Sequence, residues 1–379
     1  MNVTHIRELF PGLNDTIYLN TATMAIGNAE ARAAYEHAVE RWSAGRFDWL
    51  EAERAGEEAR AHFAALVGAA TDEVALVPSV STAAGIVAAN LPPARPGENV
   101  VVTGDDFSSN YFPWLLLRER GYEIRTVTSV DGQVTAEAYD AQTDGGTRLL
   151  AVSAVQSSTG FRVDLAALGR VAAQSGAWFF VDACQAAGAV PLDVEQDGID
   201  FLAAASHKFL LGSRGMGYLF VRRTLLGQMR PVLPGWKACR KPLESFYGPA
   251  MDLSPTASRL DSSLDWFAAL AQQGAVAIFR RFGSDRLLAR NALLATHLYE
   301  ALEANGLPVP PFAPAHRSTI VSIPVPDAEA LMAKLRQENV VVTVRAGRIR
   351  IAAHFYNLEE ELDRVAELIA SLERADDAI

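Results

Sequence analysis

Trp178-Phe-Phe-Val-Asp182-Ala-Cys-Gln185, followed by Ala-Ala-Gly-Ala-Val-Pro-Leu-Asp-Val and then by Asp200-Phe-Leu-Ala-Ala-Ala-Ser206-His207-Lys208, is the stretch on which the fold turns. Two apolar runs each end in polar residues, Asp182 with Gln185 and His207 with Lys208. Neither run alternates apolar with polar residues, the pattern of strands covered by helices on both faces. Functional groups at the carboxyl edge of a parallel sheet stand where such sheets bind ligands. The 26 positions from Asp182 to Lys208 span one strand-to-strand crossover, so a carboxylate and an amine can converge on opposite sides of one flat ligand.

Outward from this pair, similar apolar runs recur at Val74 to Val77, Asn99 to Val102, Ile124 to Val127, Leu149 to Val155 and Tyr218 to Val221. With Trp178 to Val181 and Phe201 to Ala205, they predict a mostly parallel, seven-stranded α/β sheet. Before them, about Asn28 to Val67 carries only a helical pattern, small and apolar residues recurring at three and four positions among Glu and Arg. Near Gly283 the rhythm changes to a long helix, Arg286 to Asn305, and a Pro-rich linker, Leu307 to Pro314. A smaller α+β unit follows: strand Thr319 to Ile323, helix Asp327 to Gln337, strands Val340 to Val344 and Arg348 to Ala352, and a closing helix capped by Asn357 with Glu360. The expected division is an N-terminal segment, 1–20, associated with the small domain, a large domain over 21–283, and a small C-terminal domain over 284–379.

The 379 residues are 50% hydrophobic and 21% charged, which suits an ordered protein of two or three domains. Basic residues number 34 against 45 acidic ones, and the net charge of −11 repels phosphate backbones, so no nucleic-acid partner is expected. Cys184 and Cys239 are too few for a disulfide framework or a zinc ribbon, and the 7 histidines form no i, i+4 pair, so no metal is expected. Met1 to Leu13 lacks an apolar signal core and nowhere do 18 apolar residues run together, so the expectation is a cytoplasmic protein without a membrane partner.

A lysine ending an apolar strand can form a Schiff base with a carbonyl cofactor. A carboxylate across the ring can keep a pyridine nitrogen protonated, which makes pyridoxal phosphate an electron sink. Each residue alone also has a plainer reading, Lys208 as a surface charge and Asp182 as a helix cap. Ser81 and Thr82, in Pro78-Ser-Val-Ser-Thr, open a helix whose free N–H groups favour an anion such as phosphate, and an ordinary serine cap competes with that reading.

The string Val-Asp-Ala-x-Gln-x-x-Gly-x-x-Pro-Leu-Asp-Val, with Asp-Phe-Leu-x-x-x-x-His-Lys and Gly212-Ser-Arg-Gly215-Met-Gly217-Tyr-Leu-Phe-Val, resembles the signature of the class V aminotransferase family. That family of pyridoxal-phosphate enzymes contains cysteine desulfurases, kynureninase and isopenicillin N epimerase-like proteins. The resemblance implies an aspartate-aminotransferase-like large domain, pyridoxal 5'-phosphate as cofactor, an amino-acid substrate and a homodimer with shared active sites. It implies that Lys208 is the Schiff-base lysine, that Asp182 partners the pyridine nitrogen, that Gln185 meets the ring hydroxyl oxygen, and that Ser206 and His207 bind the cofactor. Ser81 and Thr82 fall in the phosphate loop, although Val80 and Ala83 replace its usual Gly and Glu.

Asp106-Phe107-Ser-Ser-Asn resembles the family's Glu-Phe-Pro-Ser-Asn, which implies that Phe107 stacks on the cofactor ring. Gln156 takes the place of an amide near a cofactor oxygen. Gly347-Arg-Ile-Arg350-Ile-Ala-Ala-His-Phe-Tyr-Asn357 matches the strand whose arginine clamps the substrate carboxylate, which implies that role for Arg350 and leaves Arg345 and Arg348 solvated. Ser263 stands where relatives reach the partner subunit's phosphate.

Cysteine desulfurases carry a nucleophilic cysteine shortly before the carboxylate arginine, and none occurs between Arg240 and Ile379, which disfavours a persulfide mechanism. Cys184 reads as structural and Cys239 as a candidate exposed thiol. Transamination is the leading expectation, with epimerisation, β-elimination and C–S cleavage beside it, and a cofactor-binding protein without turnover is the non-enzyme alternative. A nicotinamide dehydrogenase lacks its Gly-x-Gly-x-x-Gly after a strand, and a serine hydrolase its Gly-x-Ser-x-Gly.

Overall fold

Seven strands hydrogen-bond into one sheet in the computed structural model, which describes residues 3–248 and 250–376. In chain order the strands are β1 (Ile17–Tyr18), β2 (Val74–Val77), β3 (Asn99–Thr103), β4 (Glu123–Val127), β5 (Thr147–Ser153) and β6 (Trp178–Asp182). There follow β7 (Phe201–Ala205), β8 (Gly217–Val221), β9 (Ile320–Pro324), β10 (Val340–Val341), β11 (Thr343–Arg345) and β12 (Arg348–Ala352). The large sheet runs β2-β8-β7-β6-β5-β3-β4, and β8 alone is antiparallel to both of its neighbours. The expected seven-stranded, mostly parallel α/β fold is thus present.

The continuous apolar runs have a direct cause. Val101, Leu150, Val152, Phe179, Val181 and Leu202 point into one core with Phe63, Leu168 and Val171 of the helices Trp49–Leu66 and Leu165–Ser175. Their neighbours Val100, Val102, Leu149, Ala151, Phe180 and Phe201 point into a second core with Val87 of helix Val80–Asn90 and with Trp114. Alternate side chains enter opposite layers and both layers exclude water, so the central positions of these strands are apolar, whereas the edge strand β4 keeps exposed Glu123 and Thr126.

The chain leaves β3 toward Trp114 and Leu117, in the second core, and leaves β5 toward helix Leu165–Ser175, in the first. β3 and β5 are hydrogen-bonded neighbours, so the crossovers diverge to opposite faces and open a crevice at their carboxyl ends. The next two strands of that edge end in Asp182 and Ala205.

A three-stranded antiparallel sheet, β11-β12-β9, packs with helices Ser284–Ala304, Ala328–Gln337 and Glu359–Asp376 around a separate core of Leu298, Leu302, Val321, Ile349, Leu362 and Val365. β1 pairs in parallel with β10, and Asn20 bridges to Ala352, so Ile17 to Asn20 run beside this smaller unit.

The stretch from Asn28 to Val67 is helical as expected, in two helices, Ala29–Ser43 and Trp49–Leu66, separated where Gly45 takes a left-handed φ of 68° and Asp48 caps the second helix. Two local expectations are corrected. The strand from Val340 to Val344 divides, because Val340–Val341 pairs with β1 while Thr343–Arg345 pairs with β12. Glu361, not Glu360, accepts from Leu358 N and from Asn357 Nδ2, since Asn357 Oδ1 is turned back to His354 N.

Candidate active site

The ends of β5, β6 and β7 open on a cavity of about 300 Å3. Asp182, the last residue of β6, lies in register with Ser153 of β5 and Ala203 of β7, and its Oδ1 accepts from Cys184 N at 2.8 Å. Burial raises its pKa against the pull of that amide and of the Lys208 charge. One turn on, Gln185 Nε2 donates to Ala22 O at 3.0 Å, while its Oε1 is buried without a partner. A buried acceptor left open in a cavity wall suits a ligand hydroxyl.

β7 continues into Ser206, His207 and Lys208, and this turn is closed on itself. Ser206 Oγ lies 2.6 Å from Ser213 O and 2.8 Å from Met216 O, and Gly212 N donates to Ser206 O. Lys208 thereby projects from a fixed turn, with its Nζ 5.5 Å from the centroid of the Phe107 ring. Gly188, at φ 83°, sits where a Cβ would come within 2.4 Å of Phe209 O, so only glycine lets the turn after β6 approach the residue following Lys208. His207 is neutral: burial first, then the charges of Lys208 and Arg214, lower its pKa to about 4.

At another wall the helix Val80–Asn90 begins. Ser79 is its N-cap, accepting from Thr82 N, and Ser79 Oγ bonds to Ser81 Oγ at 2.9 Å and to Thr82 Oγ1 at 3.0 Å. Hydroxyls and free amide groups at a helix start form an anion site.

From the smaller sheet, Arg350 enters the cavity almost wholly buried. Its Nη1 donates to Ser157 O at 2.9 Å and its Nη2 to Thr23 Oγ1 at 2.7 Å, while Nε is buried without a partner. Burial, reinforced by the Arg345 charge, lowers its pKa to about 9.

The cavity therefore gathers Lys208, Asp182, Gln185, His207, Ser81, Phe107 and Arg350. It does not gather four other residues singled out in the sequence. Ser206 is held by the turn, Thr82 Oγ1 by Ser79, and Gln156 Nε2 by Ser153 O at 3.3 Å, while Ser263 is exposed elsewhere. Arg345 is exposed, as expected, and also lines the cavity mouth, with its guanidinium turned toward Thr23. Cys239, the candidate exposed thiol, is buried, and Cys184 lines the cavity as a protonated thiol whose pKa burial pushes up to about 12.

Sequence reading missed Asp106. Its Oδ1 accepts from Phe107 N at 2.7 Å and Ser153 Oγ at 2.6 Å, and its Oδ2 from Ser153 N and Asn110 Nδ2, each at 3.0 Å. It ties the loop after β3 to the end of β5, beside Asp182. Burial, with the Asp182 charge adding to it, pushes its pKa up to about 7 against the pull of its donors.

The profile described as "Aminotransferase class-V" matches residues 32–365, most of the chain. The chain belongs to the class-V aminotransferase family. It is a pyridoxal-phosphate-dependent enzyme, as that family's members are. Among class-V relatives, the "Uncharacterized aminotransferase YcbU" of Bacillus subtilis (strain 168) is 29% identical over 367 residues, 96% of each chain. A "Probable cysteine desulfurase" of Methanothermobacter thermautotrophicus is 34% identical over 62% of this chain and 60% of its own. The isopenicillin N epimerase of Streptomyces clavuligerus is 29% identical over 83% of this chain and 84% of its own. The solved cysteine desulfurase from Thermococcus onnurineus NA1 has the same fold, with a TM-score of 0.84 over 98% of both chains at 21% identity.

Proposed function

We propose that the cavity holds pyridoxal 5'-phosphate on Lys208 and carries out aminotransferase-type chemistry on an amino acid. One observation carries this reading: the Lys208 amine, the Asp182 carboxylate and the Arg350 guanidinium, from three separate elements, face one cavity of about 300 Å3. When bound, the cofactor supplies an electron sink for a bond broken at the substrate Cα. Asp182 holds the proton of the pyridine nitrogen, Gln185 Oε1 accepts from the ring hydroxyl, and Phe107 supports the ring face. The phosphate fits the Ser79 and Ser81 hydroxyls at the start of helix Val80–Asn90, with His207 beside it. Arg350 orients the amino acid by its carboxylate, and Lys208 Nζ takes the Cα proton and returns it. Thr82, Gln156 and Ser206 support this frame from behind the cavity wall.

Desulfuration is disfavoured because no cysteine follows Cys239 and the cavity's own thiol, Cys184, is held protonated. Epimerisation, β-elimination and C–S cleavage share the deprotonation and part from transamination afterwards. Replacing Lys208 with Ala is expected to remove the cofactor's visible absorbance and turnover with amino acids, and an unchanged spectrum with full activity overturns the assignment. In the wild type, keto acid formed together with aminated cofactor marks transamination, whereas racemised substrate, ammonia or sulfide marks one of its neighbours.

The working form is a homodimer on this reading. Phe112 and Leu116, 61% and 64% exposed, edge an apolar groove of about 620 Å3 that also includes Ser81 and Ser109, two residues of the cavity wall. Ser263, exposed on this chain, is the residue assigned on this reading to reach the phosphate across that interface. The proposed division is a large domain over 21–283 and a small one from 1–20 with 284–379, of which residues 1–2, 249 and 377–379 lie outside the described residues.

A further inference from the structure

Among the described residues, four cationic side chains line the cavity, Lys208, Arg214, Arg345 and Arg350, against one carboxylate, Asp182. On the reading above, Lys208 and Asp182 are engaged with the cofactor, and Arg214 lies on the His207 side. Arg350 takes the substrate's α-carboxylate. Arg345 is left over.

The hairpin holds Arg345 in place at an energetic cost. Ala346 and Gly347, at φ 49° and 71°, form a two-residue turn with both central residues left-handed, which sets Arg345 directly opposite Arg348. Like charges across an antiparallel pair are destabilising. Arg345 Nη1 is fixed by Val344 O at 2.8 Å, and its Nη2 reaches Thr23 Oγ1 at 3.4 Å, the oxygen that also accepts from Arg350. Two guanidinium groups thus converge on one neutral hydroxyl, and among the described residues neither has a carboxylate partner. Such an arrangement serves folding poorly and serves an incoming anion well.

We propose that Arg345 recognises a second anionic group on the substrate, so that the site selects amino acids with an acidic side chain. The proposal rests on Arg350 binding the α-carboxylate. Arg350 lies deep and Arg345 at the exposed mouth, so the side-chain carboxylate points outward, away from Lys208.

The test compares unreactive acids of equal carbon number on the holoenzyme by calorimetry: succinate against butyrate, and glutarate against valerate. At least one dicarboxylate is expected to bind about tenfold or more tightly than its monocarboxylate, the size of effect one charge-assisted pair gives. In Arg345→Gln that preference disappears, and the ratio of kcat/KM for glutamate or aspartate over alanine falls by a similar factor. Arg345→Lys restores part of it, which a purely structural role does not explain. Equal affinity for both acid classes in the wild type, or an unchanged ratio in Arg345→Gln, overturns the proposal. Neither result bears on the cofactor reading, which stands or falls on the Lys208→Ala spectrum.

Discussion

Arg60 and Arg350 are equally hidden from solvent, 3% and 2% exposed, yet they are furnished in opposite ways. Arg60 Nη1 and Nη2 reach both oxygens of Asp261, Nε and Nη2 reach Glu57, and Nη1 also donates to Val74 O at 2.6 Å. Asp261 in turn accepts from Leu76 N at 2.8 Å, so the pair fastens helix Trp49–Leu66 and the loop before Ser262 to strand β2. The Asp261 and Glu57 charges overcome desolvation and raise the Arg60 pKa. Among the described residues Arg350 has only a carbonyl and a hydroxyl, and burial lowers its pKa. A buried charge is tolerated when its counter-charge is built in, and a buried charge without one indicates that the counter-charge arrives from outside.

This contrast can be broken by substitution. Arg350→Gln is expected to lower kcat/KM for the amino-acid substrate roughly 100- to 1,000-fold, while the free energy of unfolding stays within about 1 kcal/mol of the parent. Steady-state kinetics and urea unfolding of the same preparation check both halves, and a large loss of stability would place Arg350 in the same class as Arg60. Asp261→Asn should do the reverse. It removes the buried one of Arg60's two counter-charges, leaving the more exposed Glu57, and lowers unfolding free energy by about 3 kcal/mol, read as a shift of the urea midpoint, with KM for the amino acid unmoved.

A third buried base sharpens the comparison from the neutral side. His354 faces Phe209 O at 3.1 Å and Asn291 Oδ1 at 3.2 Å, and burial lowers its pKa to about 3 despite the Phe209 carbonyl. Its folded pKa lies below the unfolded value, so the unfolded chain takes up the proton first. Stability present above pH ~6.5 is then lost as pH falls toward 3, by up to about 1.4 kcal/mol per pH unit from this group. His62 and His207, each lowered to about 4, act in the same direction. Urea midpoints between pH 7 and 4 should fall with acid, and His354→Asn should flatten that slope; an equal slope in the variant removes His354 from the account.

The large sheet was legible because burial on both faces writes itself into every residue of a strand, as in Phe201–Ala205, where expected and observed limits coincide. Asp182 and Lys208 were legible because each ends such a run. Asp106 was not, since its importance depends on β3 lying beside β5, and strand order leaves no local trace in the sequence. Thr23 and Arg345 escaped for a related reason: their convergence is created by a tight turn and by contacts between positions 322 residues apart. The division at Val341 likewise depends on a distant partner, Tyr18, which no periodicity around residue 340 reveals.

The segment Ile17 to Ala25 has a consequence for how the molecule is made. It pairs with Val340, Val341 and Ala352, while Ala22, Thr23 and Ala25 hydrogen-bond to Gln185, Arg350 and His207. A ribosome releases these first residues long before it has translated the last of their partners. The large sheet can form while synthesis continues, but the cavity is finished only when these two distant segments meet, a closure that long sequence separation makes slow. Competence for chemistry should therefore appear as a late event, after most of the protein is already folded.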